Sequence, residues 1–143
     1  MDDLLQGLLQ KLSEAEALWF GSVRPDGRPH LAPIWHIWHD DAAWMVTKAS
    51  AVRTRNLASN PQVSLALPDP MNPLILEGNA SEAPHALATL QPLFQRKYDW
   101  DIATDADYTV ILRVEPAKLM AWGNHGEGRW RYTKDGWEAI ARA

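Results

Sequence analysis

The stretch Thr47-Lys48-Ala49-Ser50-Ala51-Val52-Arg53-Thr54-Arg55-Asn56-Leu57 brings together a strand-end hydroxyl, a polar loop and a basic first helical turn. Those are the parts of a phosphate cradle. Helix N-termini offer unpaired N–H groups, and a guanidinium presents a bidentate fork that matches phosphate oxygens. The plainer reading is a solvated basic helix that sheds its charge into water, and the stretch alone does not choose between the two.

The elements around it must hold it in place. Leu4, Leu5, Leu8, Leu9 and Leu12 recur at helical spacing and predict an amphipathic helix that covers one side of a larger body. Leu18 to Arg24 reads as a strand, Pro25-Asp26-Gly27 as a tight turn, and residues 28–38 as a second extended segment. Pro29 and Pro33 cannot donate to a ladder, which places that segment at an edge or a bulge. His39-Asp40-Asp41 turns the chain into a third strand, Ala42 to Thr47, and a short helix from Arg53 to Ser59 stops at Asn60-Pro61.

Strands follow at Gln62 to Leu67 and Leu74 to Glu82, the second with a bulge or close approach at Gly78. Residues 84–99 predict a helix broken at Pro92. Tyr108 to Val114 is a strand that ends at Glu115-Pro116, and Lys118 to Trp122 completes the barrel. Tight turns with irregularly inserted helices predict a mainly β, antiparallel barrel in one domain over residues 1–143. The Gly-rich, aromatic tail from Asn124 to Tyr132 is either a loose end or a segment ordered by a partner, and Trp130 favours the partner.

Composition narrows the chemistry. A net charge of -4 leaves no broad cationic field for nucleic acid or an anionic membrane, and the absence of cysteine rules out thiolate metal centres and a Cys nucleophile. Met1-Asp2-Asp3-Leu4-Leu5 lacks the pattern of a signal peptide, and no apolar run approaches a membrane span, so the expectation is a cytoplasmic protein. His36 and His39 fall on opposite faces of an extended segment and do not share a metal, so no metal is expected. Neither a Gly-x-Ser-x-Gly elbow nor a dinucleotide fingerprint occurs. The Asp pairs at 2–3 and 40–41, and the Asp residues between 99 and 107, read as solvated turns and a helix end.

Four features taken in order resemble the FMN-binding split-barrel proteins related to pyridoxamine-phosphate oxidase. They are the hairpin Pro25-Asp26-Gly27-Arg28-Pro29-His30, a second strand ending Pro33-Ile34-Trp35, Thr47 at the end of the third strand, and Arg53-x-Arg55-Asn56-Leu57 followed by Asn60-Pro61-x-Val63. Gly78 fits as well. The resemblance implies a homodimer that binds FMN, or the deazaflavin F420 in the same groove. It implies an oxidoreductase passing a hydride from a reduced nicotinamide or deazaflavin to a small-molecule substrate. A flavin or haem carrier without turnover is the alternative from another class.

The resemblance also assigns residues. Arg53 takes the cofactor phosphate, with Thr47 and Ser50 beside it and Asn56 in the same motif. Where relatives often carry a further basic residue this chain has Ala51 and Val52, which leaves Lys48 or Arg55 to supply the second charge. Pro33, Ile34, Trp35 and Val46 lie near the flavin ring; core or dimer packing is the competing role for Trp35, and for Trp38 the favoured one. Trp122-Gly123 and Arg129-Trp130-Arg131-Tyr132 resemble a C-terminal signature of part of the superfamily, so Trp122 and Arg129 are expected to reach the partner's pocket. The substrate-phosphate residues of the oxidase itself are not recognisable.

Overall fold

The computed structural model describes residues 2–140. Helix α1 (Asp3–Glu14) buries Leu5, Leu8, Leu9 and Leu12, and Asp2 caps it by accepting the Leu5 N–H on Oδ1 at 2.6 Å. Strands β1 (Ala17–Val23) and β2 (Pro29–Trp35) form the first hairpin across the Pro25-Asp26-Gly27 turn, where Gly27 takes φ 90. Next come β3 (Ile37–His39), β4 (Ala42–Lys48), α2 (Val52–Leu57), β5 (Gln62–Ala66) and β6 (Leu74–Glu82). A 3-10 turn (Pro84–Ala86), α3 (Leu87–Tyr98), β7 (Tyr108–Ala121), β8 (Gly128–Thr133) and β9 (Gly136–Ala139) complete the described chain.

All ladders are antiparallel, in the order β2-β1-β5-β6-β7-β4-β3, with β8 and β9 added beyond β7. The proline-bearing β2 lies at one edge, as its missing donors require. Residues 29–39 are a single extended stretch interrupted only at His36. The chain therefore leaves β2 on one edge of the sheet and enters β3 on the other. This connection curls the sheet into a barrel. β2 and β4 approach each other with no ladder between them, and that gap is the split.

β4 is buried on both faces. Ala43 and Met45 join the barrel interior with α1, while Ala42, Trp44 and Val46 join a second cluster with Leu90 and Phe94 of α3. The fold is mainly β, an antiparallel split barrel with inserted helices. No helix among the described residues is long and apolar enough to cross a membrane.

Four expectations change. The second extended segment is two strands, because His36 turns the corner. β7 does not stop at Glu115-Pro116 but runs through it: the register shifts at Glu77/Gly78, opposite Pro116, so the missing N–H falls at a bulge. A Cβ on Gly78 would overlap the Glu115 carbonyl oxygen there. Helix α3 continues through Pro92 without a break. Leu90 and Phe94 anchor it, while Pro92 and Ala88, whose carbonyl loses its partner, both face water. The tail is ordered by its own chain, since β8 pairs with β7 and Trp130 is buried in the main core.

Candidate functional site

A cavity of about 840 Å³ opens at the split, within the size range of small-molecule sites. Pro33, Ile34 and Trp35 of β2 form one wall, with Val46 of β4 and Arg53 of α2 across from them. Tyr98, Trp100 and Tyr108, from the end of α3 to the start of β7, add aromatic rings, and Glu16, Asp99 and Asp105 also reach the lining. Trp35 stacks on Tyr98 at 4.4 Å and 4°, while Trp100 stands edge-on to Trp35 at 6.0 Å and to Tyr108 at 5.6 Å.

Among the described residues, Arg53 is the one cation lining the cavity. Its Nη2 donates to the Pro33 carbonyl at 2.9 Å, and its guanidinium lies 5.3 Å from the centre of the Phe20 ring. Nε is buried without a hydrogen-bond partner, and no carboxylate among the described residues forms an ion pair with the side chain. Burial lowers its pKa, so the charge is held at a desolvation cost that an incoming anion would offset. Helix α2 is too short to add much dipole; it sets the direction of Arg53. Ala51 gives its first turn no side-chain cap, and Thr54 Oγ1 ties the helix back to the Lys48 carbonyl at 2.7 Å.

The corner at His36 holds the aromatic wall. The His36 N–H donates to Tyr98 Oη at 2.9 Å, and its carbonyl accepts from Lys97 Nζ at 3.0 Å. Lys97 Nζ also donates to the carbonyls of Ser13 at 3.1 Å and Ala15 at 2.7 Å. Tyr98 Oη lies 2.6 Å from the Glu16 carbonyl and 2.9 Å from that of His36, so its single proton serves one of the two. His36 is fully buried with Nε2 2.7 Å from the Leu12 carbonyl, which requires Nε2 to carry the proton. Burial pushes His36 down to about 4 and Lys97 to about 8, and raises Tyr98 to about 12.

The family model for pyridoxamine 5'-phosphate oxidase matches residues 4–123, which span the barrel from α1 through β7. The chain belongs to this family. Among solved structures, the pyridoxamine-phosphate-oxidase fold recurs in an F420 reductase, 24% identical, with a TM-score of 0.64 over 77% of this chain and 94% of that one. An FMN-binding protein from Nostoc punctiforme is 16% identical, with a TM-score of 0.64 over 96% and 95%. The haem storage protein HutZ of Vibrio cholerae is 19% identical, with a TM-score of 0.65 over 85% and 96%. No curated protein matches.

In this oxidase-family chain the predicted residues separate into groups. Pro33, Ile34, Trp35, Val46 and Arg53 converge on the cavity. Thr47 is buried and Lys48, Ser50 and Arg55 are exposed, all outside the lining, although Lys48 Nζ lies 5.2 Å from the Tyr108 ring centre at the rim. Asn56 is buried and donates from Nδ2 to Ser22 Oγ at 3.0 Å, so it fastens α2 onto β1. Trp122 follows β7 as an exposed side chain and Arg129 sits on β8; neither lines the cavity of its own chain. Trp38 packs against the main core. His36 is buried and His39 exposed, and no group of three or more His, Asp or Glu among the described residues could hold a metal. Sequence reasoning missed Tyr98, Trp100 and Tyr108, whose one signal was aromatic density across a helix end.

Proposed function

We propose that the cavity at the split holds FMN, or the deazaflavin F420 in its place, with the cofactor phosphate at Arg53 and the ring against Pro33, Ile34, Trp35 and Val46. The protein is then an oxidoreductase of the pyridoxamine-phosphate-oxidase family acting on a small molecule. The observation that carries this is Arg53, a half-buried cation on the cavity wall with an orphaned Nε and no ion pair to a carboxylate among the described residues. Lys48, over Tyr108, is better placed than Arg55 to add a second charge. A bound flavin supplies hydride transfer. The chain's own contribution is to orient the ring on an aromatic wall, to neutralise the phosphate, and to keep water from the apolar face of β2.

A homodimer fits the same reading. The outward face of the β1–β2 hairpin carries Trp19, Leu31 and Trp35, which are 41%, 64% and 44% exposed, with Pro33 between Leu31 and Trp35 and Pro29 beyond Leu31. An apolar face of that kind on an edge hairpin is suited to a second copy. Trp122 and Arg129 then extend toward the partner's pocket. A haem carrier is less favoured, because no histidine is among the residues lining the cavity.

The test is the visible spectrum of the purified protein, heat release and mass identification of any bound molecule, and titration with FMN and F420. Recovery or tight binding of either supports the reading. Failure to bind both removes it.

A further inference from the structure

The inward face of the β1–β2 hairpin carries basic groups that continue from Arg53 toward the turn. Residues opposite each other on paired strands share a face, so Phe20 lies beside Ala32 and Ser22 beside His30, and Arg24 meets Arg28 at the end of the ladder. The Arg53 guanidinium sits over the Phe20 ring, and Asn56 of the same helix bonds to Ser22, so α2 covers both rows. His30 is therefore one row, roughly 7 Å along the strand, beyond the row that Arg53 covers. Arg24 bends back and donates from Nη1 to the Pro29 carbonyl at 2.6 Å, next to His30.

His30 is partly buried, and its Nδ1 is shielded from water without a hydrogen-bond partner, as is Arg53 Nε. Neither His30 nor Arg24 lines the cavity, so both act on a ligand there through charge. Partial burial, and then the charges of Arg24 and Arg53, lower the pKa of His30. Asp26, which also senses Arg24, is paired with Arg28 at 2.8 Å, and no carboxylate among the described residues offsets the two guanidinium groups at the imidazole.

Resting on the reading of Arg53 as a phosphate contact, we infer that His30 is the proton partner of that site: a phosphate or other dianion paired with Arg53 draws a proton from solvent onto His30. In the free protein the Arg53 charge repels that proton. A bound dianion matches the charge and leaves a negative excess that favours the imidazolium. Because His30 holds its proton more firmly in the bound state, anion affinity is highest below the free-state pKa and declines as the pH rises through the bound-state value.

The experiment is an NMR titration of the imidazole C–H signals between pH 5 and 8.5, at constant ionic strength, in chloride, in sulfate and with FMN. The His30 signal is identified by its loss in His30→Gln. Its midpoint is expected below the ordinary 6.5 in chloride and higher by about one pH unit with sulfate or FMN. In Arg53→Gln the midpoint is higher in chloride already and neither anion moves it. FMN is expected to bind wild type about threefold more tightly at pH 6.5 than at pH 8, and His30→Gln loses that gain. The FMN phosphate takes up part of a proton in the same range, equally in both proteins, so the difference between them is the quantity read. Sulfate carries no flavin and no proton of its own, which separates the two readings. A midpoint moved by sulfate without FMN binding removes the flavin reading alone, and FMN binding with His30 unmoved removes this inference alone. A His30 midpoint that neither anion shifts overturns the inference whether or not the variants fold.

Discussion

Arg53 Nη2 donates to the carbonyl oxygen of Pro33 at 2.9 Å, joining α2 to the edge strand β2 across the split where no ladder runs. One side chain thus ties together two walls of the cavity.

Replacing Arg53 with Ala is expected to weaken FMN binding by about 1.5–3 kcal/mol, roughly 10- to 100-fold, through loss of a charge-assisted contact. Arg53→Lys keeps the charge without the fork and falls between Ala and wild type. Fluorescence titration of FMN against each folded variant measures this. Wild-type affinity in Arg53→Ala would refute the phosphate assignment.

Tyr98→Phe removes the hydroxyl bonds at the His36 corner and keeps the ring that stacks on Trp35. The expected cost is about 1–3 kcal/mol, because the His36 N–H is left without its partner. Tyr98→Leu loses the stack too and costs more. Urea unfolding of the three proteins gives the ranking.

Because His36 is held neutral with its pKa near 4 against an ordinary 6.5, the unfolded chain binds its proton first on acidification. Its contribution is complete above pH 6.5 and is lost as the pH falls toward 4, by about 2–3 kcal/mol between pH 7 and 4.5. Carboxylates titrate in the same window, so the informative quantity is the difference from His36→Gln, whose stability should fall less over that range. Parallel slopes would mean that His36 is not the group responsible.

Asp2 accepts the Leu5 N–H on one carboxylate oxygen and the Trp130 indole on the other at 2.9 Å, joining the first helix to β8. Asp2→Ala should cost about 1–3 kcal/mol and Trp130→Ala about 3–5 kcal/mol, with favourable coupling in the double-mutant cycle. Removal of residues 123–143 strips this core cover, so it reports on folding before it reports on the cofactor. Trp122→Ala and Arg129→Ala are the better probes of a contribution to the partner's pocket, and unchanged FMN affinity in both would refute it.

Leu31, more exposed than Trp35 on the outward face of β2, should tolerate Asp in a monomer but not in a dimer that buries this face. Gel filtration with light scattering is expected to show a dimer for wild type and a monomer for Leu31→Asp. A monomeric wild type would remove the interface.

What the amino-acid sequence determined by itself is local. The leucines of α1 at helical spacing, the Pro25-Asp26-Gly27 turn and the extent of β6 through Gly78 follow from side-chain periodicity and backbone chemistry, which act between near neighbours. Arg53 was legible as one part of a candidate phosphate cradle, while its assignment to the cofactor and the β2 wall came from the family resemblance carried by short motifs. Packing between distant segments decided the rest. Pro92 stays in a helix because Leu90 and Phe94 are anchored in another part of the chain, and Pro116 stays in a strand because the register against β6 shifts there, leaving Ala117 of β7 as the extra residue of a bulge. His36 becomes a corner only when Tyr98, Lys97 and Leu12 supply its hydrogen bonds from across the fold. Tyr98, Trp100 and Tyr108 become a cavity wall only when α3 is docked beside β4. Hydrogen bonds and buried surface that join residues dozens of positions apart leave no periodic trace in a single sequence, so only the tertiary structure could place them.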